Sequence, residues 1–387
     1  GKSTLAAFLQ RDSAAAATFL PGGRAPRAGE WFRNPDYART LQEIADVGIG
    51  TFYGGALGER IVARLAALDG FLTLDDLRRN APTWVTPISV PFRGHRVWEL
   101  PPNNQGIAAL EMLRILEPYD LAAMGHNSAA YLHHLIEAKK LAYADLLRWV
   151  GDPRVAQVPV NRLLDKDGAA RRAALIDPQR AACTVAPSQL AGVTDATGSE
   201  TIYLTVIDKA GNIVSLIQSN YSGFGSGLVP PGTGFMLHNR GGLFTLKAGA
   251  PNELAPRKRP LHTIIPAMMQ KGDTTIGFGI MGGWNQAQAH AQFVSHVVDF
   301  GFTIQEALEA GRFTKETFEG CDVRMETLVP QATRDALAAM GHVITPVRPR
   351  SASFGFGQAV MGVKGGVHFG ASEPRHDGAA IPETPRP

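Results

Sequence analysis

Thr201-Ile202-Tyr203-Leu204-Thr205-Val206-Ile207-Asp208 and Asn212-Ile213-Val214-Ser215-Leu216-Ile217-Gln218-Ser219-Asn220, joined by Lys209-Ala210-Gly211, form the stretch on which the reading of this chain turns. Both arms are rich in apolar and β-branched residues and a glycine closes the connection, the pattern of a β-hairpin with a three-residue turn. With that turn Asp208 faces Asn212. Counting outward in step then sets Ser219 opposite Thr201 on the same face, with Cβ atoms roughly 5 Å apart. A polar loop, Gly192-Val193-Thr194-Asp195-Ala196-Thr197-Gly198-Ser199-Glu200, runs straight into Thr201. Cutting the peptide bond between Glu200 and Thr201 would leave a hydroxyl nucleophile and a free α-amine on one residue, a pair that needs neither histidine nor metal. Standing alone, the hairpin reads more readily as an ordinary strand pair, since threonine favours strands and Thr–Ser cross-strand pairs are common.

Two neighbouring segments change the balance. Tyr221-Ser222-Gly223-Phe224-Gly225-Ser226-Gly227 is a glycine-rich, mobile stretch directly after the second arm, suited to a lid or to close backbone approach. Met281-Gly282-Gly283 follows a strand pattern and precedes a helical one, and adjacent backbone N–H groups at a helix start can form an oxyanion hole. The same dipeptide also serves as a plain strand-to-helix turn.

Outward from the hairpin, the first half of the chain reads as mostly helical. Apolar residues recur at three-and-four spacing over Asp36 to Val47 and Gly58 to Leu68, and Leu74 opens a further short helix. A β-rich stretch from Ile88 to Leu100 turns at Arg93-Gly94. Helices are expected from Ile107 to Leu116 and from Ser128 to Trp149, the latter ended by Gly151-Asp152-Pro153. Residues 186–200 read as a polar linker. Beyond Thr201 strands alternate with helices: Thr274 to Met281 as a strand, Asn285 to Phe300 and Ile304 to Ala310 as helices, then strands at Gln358–Val363 and Gly366–Ala371. Strands enclosed by helices point to an α/β layered domain.

Composition narrows the function classes. The chain has 387 residues, 44% hydrophobic and 19% charged, long enough for one large core or two domains. A net charge of +3, scattered along the chain, points to neither nucleic acid nor an anionic membrane. No apolar run approaches the roughly 18 residues of a spanning helix. Arg257-Lys258-Arg259 reads as a solvated basic loop. Two cysteines, Cys183 and Cys321, are expected as separate thiols rather than a bridge, which leaves the compartment open. The chain begins at Gly1 and reads as truncated at its start, with no signal peptide. Gly1-Lys2-Ser3-Thr4 imitates the end of a phosphate-binding loop but lacks the preceding strand and upstream glycine. Among eleven histidines, His133-His134 are adjacent and His290 and His296 lie six apart on a helix; none is read as part of a metal-ligand set, so no metalloenzyme is expected.

The ordered blocks Phe52-Tyr53-Gly54-Gly55, Leu74–Leu77, Pro101-Pro102, Ala142-Tyr143-Ala144-Asp145, Gly151-Asp152-Pro153, Thr201–Asn212, Gly223–Gly227, Lys258-Arg259-Pro260, Met281-Gly282-Gly283 and Gly370–Gly378 together resemble the γ-glutamyltransferase family of N-terminal nucleophile hydrolases. The resemblance covers nearly the whole chain. It implies a four-layer αββα sandwich in which residues 1–200, the end of the large subunit, and 201–387, the small subunit, form one intertwined domain. It further implies self-cleavage between Glu200 and Thr201 by an N-to-O acyl shift. Thr201 is then the nucleophile, its α-amine the base, Ser219 the supporting hydroxyl, and Gly282 and Gly283 the oxyanion donors. The expected substrates are γ-glutamyl amides such as glutathione, with no cofactor, and the partner of each product chain is the other, as a heterodimer.

Five positions depart from the family pattern. Where the family holds the substrate α-amine and α-carboxylate, this chain has Tyr221, Arg240 and Leu243, and His262-Thr263. Arg240 would repel an ammonium and attract a carboxylate. This suggests, as an alternative, an amidohydrolase for a carboxylate-bearing acyl group without an α-amine, glutaryl or oxamate-like. The segment before Thr201 is also shorter than the family's large subunit, whose front part supplies an arginine for the α-carboxylate. An unprocessed, inactive precursor is therefore a second alternative.

Overall fold

The computed structural model describes residues 2–186 and 200–383; all but the two ends of the expected polar linker lie outside them. The described chain divides into two compact units, one of Gly1–Trp84 with Asn220–Arg240, the other of Val85–Ser219 with Gly241–Pro387. Each draws on residues from both sides of position 200.

The first unit carries α1 (Lys2–Leu9), α2 (Ser13–Phe19), α3 (Pro35–Val47), α4 (Ala56–Ala66) and α5 (Leu74–Arg79). Their starts are written locally. Asn34 caps α3 by accepting from the Tyr37 amide with Pro35 at the first helical position, and Thr73 and Asp76 form a reciprocal capping box on α5. A small core of Leu9, Ala15 and Leu20 closes against Val229 and Met236. Asn34 Nδ2 donates to the Gly234 carbonyl at 2.7 Å and Thr40 Oγ1 to that of Thr233 at 2.9 Å, tying the 220–240 segment to α3.

The second unit is layered. Its elements are β1 (Ile88–Phe92), β2 (His95–Glu99), α6 (Gly106–Leu116), α7 (Leu121–Met124), α8 (Ala129–Trp149), α9 (Val160–Leu163), α10 (Lys166–Ala173), β3 (Glu200–Ile207) and β4 (Ile213–Tyr221, whose last two residues belong to the first unit). These are followed by β5 (Ala267–Lys271), β6 (Thr274–Ile280), α11 (Asn285–Asp299), α12 (Ile304–Glu309), β7 (Phe313–Thr314), β8 (Asp322–Glu326), α13 (Gln331–Ala339), β9 (Val343–Val347), β10 (Gly357–Val363) and β11 (His368–Ser372). An antiparallel sheet runs in the order β1-β2-β5-β6-β10-β11, β3 and β4 pair on their own, and β7-β8-β9 form a small third sheet.

Alternation along β6 sorts the layers. Ile276, Phe278 and Ile280 belong to the main core with α6, α8 and α11, and the Phe278 ring stacks on Phe293 of α11 at 4.8 Å. The intervening Gly277 and Gly279 meet the β3–β4 hairpin instead. A Cβ at Gly279 would lie 2.4 Å from the Tyr203 ring, and one at Gly277 2.6 Å from Ile213. Glycine here lets two sheets approach where any side chain would hold them apart. The unit thus carries a helical layer, a sheet and the hairpin, with Ile202, Leu204 and Val206 on the hairpin's outer face exposed.

The cysteine expectation is corrected. Cys183 and Cys321 form a disulfide with Cα atoms 4.7 Å apart across a sequence separation of 138. Spacing could not show this, because the backbone around both residues brings them together. The Gly320 amide donates to the Cys183 carbonyl, that of Val343 to Cys321 and that of Ala181 to Met340.

Candidate active site

Thr201 sits at the open end of the hairpin with 5% of its surface exposed. Its Oγ1 donates to Ser219 Oγ at 3.0 Å, while at the other end the Asp208 amide donates to the Asn212 carbonyl at 3.0 Å. Both contacts are those the three-residue turn predicts. The turn is held by Asp208 Oδ1, which accepts from the Ala210 and Asn212 amides. Below Thr201, Ser215 Oγ donates to the Ala267 carbonyl, so the 2.7 Å contact between Tyr203 and Ser215 has the phenol as donor. Thr205 meets Gly277 and Tyr203 meets Gly279.

Gly282 and Gly283 have φ of +129° and +58°. Only glycine adopts the pair without strain. Their carbonyls start α11, accepting from the Asn285 and Gln286 amides; among the described residues neither Gly282 nor Gly283 N–H meets an acceptor of the chain. Asn285 Nδ2 anchors the corner to the Phe354 carbonyl at 2.9 Å.

His262 and Thr263 reach the same corner. The His262 amide donates to the Asn103 carbonyl at 2.8 Å and its carbonyl accepts from the Gln105 amide at 3.0 Å. Gln105, fully buried, donates from Nε2 to the carbonyls of Thr263 at 2.5 Å and Gly283 at 2.7 Å. Tyr143 donates to the Trp284 carbonyl next door. Gln105 is the residue sequence reading missed. Its only signal was its place after Pro101-Pro102, since a buried amide bridging two distant carbonyls has no local signature.

Tyr221 and Arg240 meet each other within the first unit. The buried guanidinium lies 5.4 Å from the centre of the Tyr221 ring, and burial brings its pKa down to about 10, so it stays charged at neutral pH. Tyr221 takes φ +81°, unusual for a side-chain-bearing residue. The glycines that follow serve close approach: Gly225 and Gly227 have positive φ, and a Cβ on them would lie 2.4 Å from the Leu237 carbonyl and 2.7 Å from the Phe8 ring. Leu243 packs against the main core of the second unit.

Two further groups were not anticipated. Glu99 and His290, both buried, pair at 2.7 Å behind β6, where His290 Nε2 accepts the Ile280 amide at 3.0 Å. His290 is accordingly a neutral imidazole, held by burial near a pKa of about 3. No histidine is expected in a metal-ligand set from spacing, yet His133, Glu137 and His342 converge, with ligand-type atoms all within 4.8 Å of one another. His133 and Glu137 lie one turn apart on α8, but His342 comes from 209 residues further along the chain than His133. The donor set would suit a divalent cation; Lys140, however, already supplies the positive charge, donating to Glu137 at 2.6 Å and to the Ala182 carbonyl at 2.9 Å. The basic run is only partly solvated, because Asp152 accepts the Arg259 amide at 2.8 Å, which docks Gly151-Asp152-Pro153 on Lys258-Arg259-Pro260.

Stacked antiparallel sheets backed by helices, with a hydroxyl pair at the mouth of the hairpin, define the class of the N-terminal nucleophile hydrolases. The chain belongs to the gamma-glutamyltranspeptidase family, whose sequence profile matches residues 2–383. It is 36% identical over 369 residues to the glutathione hydrolase-like YwrD proenzyme of Bacillus subtilis, covering 94% of this chain and 68% of that protein. It is 32% identical to the oxamate amidohydrolase proenzyme of Klebsiella pneumoniae, covering 94% of this chain and 68% of that protein. Among solved structures, the cephalosporin acylase from Bacillus halodurans superposes with a TM-score of 0.88 at 40% identity, over 98% of this chain and 67% of that one. The chain spans about two thirds of the length of these relatives.

Proposed function

We propose that this chain is a self-processing amide hydrolase acting through Thr201, with γ-glutamyl amides such as glutathione as first-ranked substrates. The observation that carries the reading is the hydrogen bond from Thr201 Oγ1 to Ser219 Oγ at the strand start. In maturation, Thr201 Oγ1 attacks the carbonyl of Glu200, the scissile nitrogen becomes the free α-amine of Thr201, and water hydrolyses the resulting ester. In turnover that amine, with an ordinary pKa near 8, takes the hydroxyl proton as Oγ1 attacks the substrate amide. The Gly282 and Gly283 amides stabilise the oxyanion. The leaving amine departs with the proton, and water or an acceptor amine releases the acyl group. The two product chains stay together as a heterodimer.

A second reading is favoured by Arg240 itself, a cation where the family pattern has a ligand for an ammonium. It takes a carboxylate-bearing acyl group without an α-amine, and relatives named as an acylase and an oxamate amidohydrolase support that breadth. Intact mass, measured after reduction, of the parent beside Thr201→Ala tests the nucleophile. Two chains from the parent, the smaller beginning at Thr201, and one from the variant are expected. One uncut chain from both would leave an unprocessed precursor. Turnover of a γ-glutamyl anilide against its glutaryl counterpart then ranks the two acyl groups.

A further inference from the structure

We infer that the Cys183–Cys321 disulfide is a covalent staple between the two chains of the mature enzyme; the inference rests on the self-cleavage proposed above. Cys183 precedes the Glu200–Thr201 bond and Cys321 follows it, and these are the only two cysteines. Once that bond is cut, the bridge is the sole covalent link between residues 1–200 and 201–387. Cleavage adds one water across the peptide bond and leaves the bridge untouched. Opening the bridge takes two electrons and two protons, which an external dithiol supplies as it becomes a disulfide.

The surroundings suit a staple. Beyond the backbone bonds that flank both cysteines, Lys140 reaches both sides of the cut, donating to the Ala182 carbonyl at 2.9 Å and approaching Cys321 Sγ at 4.0 Å. Cys321 is buried while Cys183 is exposed, so a reductant reaches the bridge from one side. The candidate site itself spans the cut. Gln105 and Tyr143, from the first product chain, hold Thr263, Gly283 and Trp284 of the second. Losing one chain would remove the supports of the oxyanion corner, and a tether makes re-docking intramolecular and independent of dilution.

The test is intact mass of the purified protein, denatured in guanidinium with a maleimide present, before and after dithiothreitol. The expected result without reductant is one species, heavier than the uncut chain by one water and carrying no maleimide. With reductant it resolves into two chains, each taking one label. Two separate, labelled chains without reductant would overturn the staple while leaving self-cleavage intact. One uncut chain after reduction would overturn the self-cleavage reading, and the staple with it. Cys183→Ser is expected to process normally yet fall into two chains in denaturant alone. After refolding, its recovered activity should decline on dilution while that of the unreduced parent does not; equal dependence for both would also count against the tether.

Discussion

Thr201 and Ser219 owe their meeting to a three-residue turn and to the two-residue period of a strand, both written in local sequence across a separation of 18. Ser219→Ala should therefore leave Thr201 in place but poorly oriented. We expect slower maturation and a kcat lower by roughly 100-fold, the low end of what a well-positioned proton transfer contributes, because the hydroxyl that orients Thr201 for its base is lost, with Ser219→Thr close to the parent. Rates of both variants after processing check this, and an unchanged kcat in Ser219→Ala would remove its supporting role. If the Thr201 α-amine is the base, kcat/KM of the processed enzyme should rise with pH to a plateau through a pKa near 8. A profile flat from pH 6 to about 9 would contradict it. Gln105→Ala strips donors from two buried carbonyls, at about 1–3 kcal/mol each. It should lower both stability and kcat, and denaturant unfolding beside single-turnover rates would separate the two.

At the scale of elements, the layering of β6 between helices and hairpin depends on Gly277 and Gly279. Gly279→Ala would place a methyl group against the Tyr203 ring, and overpacking of this kind costs about 1–3 kcal/mol. Pairing it with Tyr203→Leu should recover part of that loss. Additive losses in the double variant would mean the close approach does not matter. The capping boxes at Thr73 and Thr303 and the Ser128 cap explain why helix starts were readable, since each is a contact between residues three apart. The parallel pairing of β8 with β9 was not readable: α13 separates the two strands, and only their shared core brings them side by side.

Over the whole molecule, blocks far apart in sequence are pinned by buried charge. Burial alone would raise the Asp152 carboxyl, but hydrogen bonds from Arg154 and from the Arg259 amide outweigh it and bring its pKa down to about 2, below the ordinary 3.8. A depressed folded-state pKa means this stabilisation is complete above the ordinary value and is lost as pH falls toward 2. Asp152→Asn should be less stable than the parent at neutral pH, with the gap closing in acid; a pH-independent gap in urea midpoints would refute the charge argument. The buried network of Arg312, Glu326, Glu373 and Arg375 gives the Glu373-Pro374-Arg375 motif a structural reading, with Arg312 to Glu373 at 2.8 Å and Arg375 to Glu373 at 2.7 Å.

The sequence by itself determined the hairpin and its register, the helices with local caps, the glycine pair ahead of α11 and the family, because each rests on spacing of a few residues or on ordered motifs. Tertiary structure decided the rest. It joined Cys183 to Cys321, gathered His133, Glu137 and His342, set Gln105 between Thr263 and Gly283, and turned Gly277 and Gly279 toward the hairpin. Such pairings depend on where packed layers bring the backbone, and no local period records a distance through the core.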